Sequence, residues 1–195
     1  MRGLSRMVFR LQGWKIEGQF PEDKKFIVIG APHTSNWDAM YMIGTGFLLK
    51  SEFRWLVKDS VIDSPVGRLA LWGGAMPIDR SHKDKQVEGI VQRIEQMDEV
   101  ILIISPEGSR SKVKRWKTGF YHIAIGANLP VVPCFLDYPS KVIGIGPAVH
   151  LTGDLEKDMT SLGELYNPQW AKYPDQFTMP CGNQPPEPET HHTEK

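Results

Sequence analysis

"KKFIVIGAPHTSNWDAM", residues 24–40, runs from an apolar stretch into a polar turn and then into a second apolar pattern. Residues 26–30, Phe-Ile-Val-Ile-Gly, form a continuous run rich in Ile and Val. Such a run reads as a strand buried on both faces, as in parallel sheets, since a half-exposed strand would alternate with polar residues. Val100–Ile104, 131–136 and 141–146 have the same character. Between the runs lie helical patterns. Val87, Ile90, Val91, Ile94 and Met97 recur at three- and four-residue steps, which makes one apolar face. Ser64 and Pro65 offer an N-cap and a first helical position for the stretch after them. Residues 119–127, after Thr118, read as a shorter buried helix. Strands alternating with helices predict an α/β fold: one domain with a mixed, mostly parallel sheet covered by helices on both faces.

The 195 residues suit one such domain with short extensions. The domain is expected at 25–172, after an amphipathic segment at 1–24 and before a poorly ordered, Pro-rich tail at 173–195. Lys plus Arg equals Asp plus Glu at 23 each, so any anion site has to come from a local patch. Cys134 and Cys181 form no metal or redox spacing, and Cys134 reads as a buried small apolar residue of a reducing compartment. His191 and His192 are read as a solvated pair, and no metal is expected. The longest apolar stretch, 39–49, is too short to span a bilayer. The N-terminal segment mixes Arg2, Arg6 and Arg10 with Leu4, Met7, Phe9 and Leu11. It either lies on a membrane surface or packs on its own domain.

Ligand sites in α/β sheets gather at the carboxyl ends of strands, so the turns after 26–30 and after 100–104 are the places for a site. After the first comes His33, then Asp38. On one regular helix five positions would separate the two by well over a right angle. They can meet only if His33 lies in the turn and Asp38 in the first helical turn. Ser35-Asn36-Trp37-Asp38 fits that placement, with Ser35 as N-cap and Asp38 at N3. The same pattern serves two readings: a plain helix cap, or a histidine whose tautomer and basicity an aspartate sets. No G-x-S-x-G nucleophile elbow accompanies it. A base here would therefore activate a substrate hydroxyl or water.

Two further stretches carry charge. Residues 73–81, "GGAMPIDRS", suggest a strand ending in Asp79-Arg80; a guanidinium there could hold a phosphate, or the pair could be a surface turn. Residues 105–120 begin with the tight turn Ser105-Pro106-Glu107-Gly108 and set Arg110, Lys112, Lys114, Arg115 and Lys117 around Trp116. That patch suits phosphate groups of a lipid head, of coenzyme A or of a membrane, or else it is a solvated loop. No nucleic-acid-binding motif accompanies it.

Taken in order, these blocks resemble the glycerolphosphate and lysophosphatidic acid acyltransferases, the H-x4-D acyltransferases. His33 to Asp38 match the first block, "GGAMPIDR" the second, Pro106 to Ser111 the third ("PEGSRS"), and the apolar segment around Pro133 the fourth. Pro32 stands where many members have asparagine, and the region before His33 is short and arginine-bearing where many members carry apolar anchoring helices. The resemblance implies an O-acyltransferase of phospholipid biosynthesis, peripheral on the cytoplasmic face of the membrane. His33 would be its general base and Asp38 the residue that orients it. Ser35, Asp79, Arg80, Glu107, Gly108, Ser109, Arg110 and Lys117 would line the substrates. Arg80 and Arg110 would clamp a phosphate, while Glu107 would bond a glycerol hydroxyl or steady Arg80 or a lysine. Backbone N–H groups near the helix start would receive the oxyanion. The acceptor would be a lysophospholipid or glycerol phosphate and the donor acyl-CoA or acyl-carrier protein, with no cofactor or metal. The rival readings are a thioesterase-like hydrolase and a non-catalytic lipid- or CoA-binding module.

Overall fold

The computed structural model describes residues 2–48, 53–65, 67–78 and 83–181. In chain order the elements are α1 (Arg2–Gln12), β1 (Lys15–Glu17), β2 (Lys25–Gly30), α2 (Asn36–Leu48), β3 (Phe53–Lys58), α3 (Asp59–Ile62), α4 (Gly67–Trp72), β4 (Ala75–Ile78), α5 (Lys83–Glu95), β5 (Val100–Ile104), α6 (Gly119–Gly126), β6 (Val131–Asp137), β7 (Val142–Ile145) and α7 (Leu155–Gly163), with short 3₁₀ turns at Pro168–Trp170 and Pro174–Gln176 after them. The seven strands form one sheet in the order β1-β7-β6-β2-β5-β3-β4. All neighbours are parallel except β6 and β7, which form an antiparallel pair. The α/β class and the mostly parallel sheet are those expected from the sequence.

Strand β2 lies at the centre, paired with β5 on one side and β6 on the other. Its side chains alternate between two cores, which is why the run is apolar throughout. Ile27 and Ile29 join Ile90, Ile94, Trp116 and Phe120 beneath α5 and α6. Phe26 and Val28 join Phe53, Val132 and Cys134, with Met42 and Ile43 of α2 packed against them. Each of these fully buried side chains is worth about 1.5–3 kcal/mol.

Several expectations are revised. Ser64 does not cap a helix at Pro65: its hydroxyl donates to Val61 O at 2.6 Å, and α4 begins at Gly67. A Cβ at Gly67 would meet Ile62 O at 1.9 Å, so only glycine permits the close turn between α3 and α4. The sheet also starts earlier than Lys25, because β1 pairs with β7. Residues 173–181 pack on the domain instead of trailing from it. Phe177 and Thr178 are buried, and Thr178 O accepts the Trp116 indole N–H at 2.6 Å. Trp116 is thus a core residue whose polar edge needed an acceptor, and the basic loop carries no exposed tryptophan. His191 and His192 lie outside the described residues.

Candidate active site

Because β2, β5, β3 and β4 run parallel, their carboxyl ends share one edge of the sheet. The His33 turn comes after β2 and the Ser105–Gly108 turn after β5 at that edge. Asp79 and Arg80 come after β4 and lie outside the described residues. The first two turns are tied together: Ser105 Oγ donates to Gly30 O at 2.9 Å, and His33 N donates to Glu107 Oε1 at 2.6 Å.

The capping box forms as predicted, with an added duty. Ser35 Oγ accepts Trp37 N at 3.2 Å, and Asp38 Oδ2 accepts Ser35 N and Thr34 N, each at 2.7 Å. Asp38 Oδ1 accepts Ser35 Oγ at 2.9 Å and Tyr138 Oη at 2.5 Å. His33 Nδ1 faces Oδ2 at 3.6 Å. That is close enough for a charged imidazolium to be attracted, but slightly long for a full hydrogen bond, and Oδ2 already serves two backbone donors. The carboxylate that caps α2 is therefore also the one that faces His33 Nδ1. Burial pushes the Asp38 carboxyl up, but the nearby His33 ring and the hydrogen bonds from Tyr138 and Ser35 outweigh it and hold the group below its usual value. Asp38 is therefore anionic at neutral pH. Burial pushes the Tyr138 phenol well above its usual range, helped by its bond to Asp38 and by that residue's charge.

His33 and Asp38 open onto a cleft of about 1410 Å³ that also touches Gly108, Ser109, Arg110 and Lys117. Its apolar wall includes Met42, Ile43, Trp55 and Ile103. Arg110 and Lys117 are exposed at the rim. Gly108 takes φ +61°, and a Cβ there would sit 2.7 Å from Lys117 Nζ. A side chain at 108 would thus be strained and would push Lys117 aside.

Three of the expected contributors are engaged within the protein. Ser35 is buried, and its hydroxyl serves the cap. Glu107 is 1% exposed and accepts the His33 N–H. Burial, opposed by the His33 N–H and reinforced by the charge of Asp38, pushes its carboxyl up to about 8. The backbone N–H groups expected to receive an oxyanion near the helix start are largely engaged: those of His33, Thr34, Ser35 and Trp37 already have acceptors. Tyr138 went unforeseen, because its partner Asp38 is 100 residues away in sequence. Among the described residues no group of His, Cys, Asp and Glu side chains could hold a metal ion, and no helix is long and apolar enough to cross a membrane.

A mostly parallel α/β sheet with a buried aspartate beside a cleft-facing histidine, and a basic loop lining the same cleft, defines an α/β protein of the H-x4-D type. The chain belongs to the acyltransferase family, whose profile matches residues 14–137. It is 27% identical over 136 residues to a 1-acyl-sn-glycerol-3-phosphate acyltransferase of Haemophilus influenzae, covering 65% of this chain and 55% of that one. A protein of the same name from Limnanthes douglasii is 31% identical over 132 residues, 63% of this chain and 44% of its own. The chain thus spans about half the length of these curated relatives. The fold is similar to the crystal structure of the 1-acyl-sn-glycerophosphate acyltransferase of Thermotoga maritima, with a TM-score of 0.61, 17% identity, and coverage of 84% of this chain and 74% of that one.

Proposed function

We propose that this protein is an O-acyltransferase that moves a fatty acyl group from acyl-CoA or acyl-carrier protein to a hydroxyl of a lysophospholipid or glycerol phosphate, with lysophosphatidic acid the first acceptor to test. The observation that carries the reading is the His33 imidazole, held 3.6 Å from a buried, anionic Asp38 at a cleft whose rim bears Arg110 and Lys117. The names of the relatives point to the same acceptor.

With Nδ1 turned to Asp38, Nε2 is the nitrogen left to take the proton of the acceptor hydroxyl. The oxygen then attacks the thioester carbonyl, a C–O bond forms, and the tetrahedral adduct expels the thiolate as the C–S bond breaks. A thiol with pKa of about 8.5 leaves with little acid help, and the imidazolium can return its proton to the sulfur. Asp38 stabilises that imidazolium through its charge. Arg110 and Lys117 hold the acceptor's phosphate. The apolar wall of Met42, Ile43, Trp55 and Ile103 takes the acyl chain. Neither cofactor nor metal enters these steps.

Attachment to the cytoplasmic face of a membrane is part of the proposal. Helices α1 and α2 pack through Phe9 and Tyr41 and leave Met7, Leu11, Trp37 and Met40 exposed. The test is to incubate the protein with labelled acyl-CoA and a panel of lysolipids and to identify products by mass spectrometry. An acylated phospholipid is expected. Free fatty acid alone, with acceptors present, would mark a hydrolase, and donor binding without turnover would mark a binding module.

A further inference from the structure

We propose that Glu107 is a positioning residue, which holds the backbone of His33 through Oε1 and thereby sets where the imidazole sits, without itself touching substrate. The inference rests on the reading of His33 as the base.

The bond from His33 N to Glu107 Oε1 is 2.6 Å long and joins residues 74 apart in sequence. Both of its ends are anchored. His33 comes just after β2, and Glu107 just after β5, the strand beside it, with Ile29 opposite Ile104. The turn carrying Glu107 is closed by Gly108 N donating to Ser105 O at 3.1 Å and braced by Lys117 N donating to Pro106 O at 2.9 Å. Pro106 pre-sets the turn and Gly108 takes its positive φ. The side chain is buried, so it cannot reach an acceptor at the cleft rim.

The second oxygen makes the assignment sharper. Oε2 is buried and has no hydrogen-bond partner, and among the described residues no Lys or Arg forms an ion pair with this carboxylate. Lys117 lies against Gly108. Among the described residues, the ionisable groups that act on Glu107 include Asp38, whose charge opposes a second anion, and the buried phenol of Tyr166. A carboxyl in such surroundings keeps its proton at neutral pH, and its carbonyl oxygen still accepts the His33 N–H. What matters is thus an acceptor of the right reach, whatever its charge. Glutamine has that reach and aspartate falls one methylene short.

The experiment compares Glu107→Gln, Glu107→Asp and Glu107→Leu with the wild type in the full chain. Acyl transfer to lysophosphatidic acid is read by thiol release from acyl-CoA, and exchange of the His33 amide proton by NMR. Expected is a kcat within about threefold of wild type for Glu107→Gln. For Glu107→Asp kcat should fall about tenfold or more, with acceptor KM unchanged in both, since small displacements of a base cost rate before affinity. His33 amide exchange should be unchanged in Glu107→Gln and at least about tenfold faster in Glu107→Asp and Glu107→Leu. A raised acceptor KM at constant kcat in Glu107→Gln would overturn the proposal, as would an equally protected His33 amide in Glu107→Asp. Should Glu107→Leu fail to fold, the glutamine and aspartate variants decide alone. Should the wild type transfer no acyl group to any acceptor, the acyltransferase reading falls, while amide exchange still decides whether Glu107 holds His33.

Discussion

Replacing Asp38 with asparagine removes one charge and almost no volume, which makes it the cleanest probe of the His33 pair. An imidazolium 3.6 Å from a carboxylate gains about 4 kcal/mol at the effective dielectric of a partly buried site. Losing it should lower kcat roughly a thousandfold. The fold should persist. The asparagine carbonyl can take the Thr34 and Ser35 N–H groups, and the Ser35 and Tyr138 hydroxyls can turn to accept from the new amide. Exchanging charge-assisted for neutral hydrogen bonds costs about 2–3 kcal/mol of stability. Because the folded Asp38 carboxyl lies below its usual value, its contribution is full above the unfolded pKa and fades as pH falls through the folded one. The stability gap between wild type and Asp38→Asn should therefore narrow in acid. Thiol release from acyl-CoA gives kcat, and urea titration at two pH values gives the gap. A folded Asp38→Asn with near wild-type kcat would show that the carboxylate only caps α2.

Glu107 should behave in the opposite sense. Its folded pKa of about 8 lies above the ordinary glutamate value of 4.5, so its protonated form stabilises the fold and that contribution is lost as pH rises through about 8. Glu107→Gln should gain on wild type by a few kcal/mol between about pH 5 and pH 9 in urea titrations; parallel curves would contradict this. Arg110→Ala should raise acceptor KM about tenfold or more with kcat largely kept, by the loss of a charge-assisted phosphate contact; a rise confined to donor KM would assign Arg110 to the donor's phosphates. Leu11→Glu with Met40→Glu, both at exposed positions, should cut binding to anionic vesicles about tenfold in co-sedimentation without changing the circular dichroism spectrum; undiminished binding would place the membrane contact elsewhere.

The parts of the fold that could be read from sequence are those where burial is symmetric. Strands β2, β5 and β6 are apolar apart from Lys25 and Asp137 at their ends, because helices cover both faces. Strand β3 escaped notice because Arg54 and Lys58 interrupt it near the sheet's edge. Strand β1, Lys-Ile-Glu, is exposed at all three positions and leaves no pattern to find. The site divides in the same way. The cap and the histidine share one local segment, so His33, Ser35 and Asp38 announce their geometry through spacing. Glu107 and Tyr138 act on that segment from 74 and 100 residues away, where no periodicity reports a contact. Trp116 and the segment at 173–181 misled for a related reason. A tryptophan among lysines and a polar, Pro-bearing stretch look solvated until Thr178 is seen to accept the indole N–H.

Single-turnover acyl transfer by His33→Ala bears most directly on the account. With circular dichroism and urea unfolding close to wild type, transfer from labelled acyl-CoA to lysophosphatidic acid should fall at least about a thousandfold, within the usual loss from removing a general base. Transfer at near wild-type rate in that folded variant would mean that another group takes the hydroxyl proton.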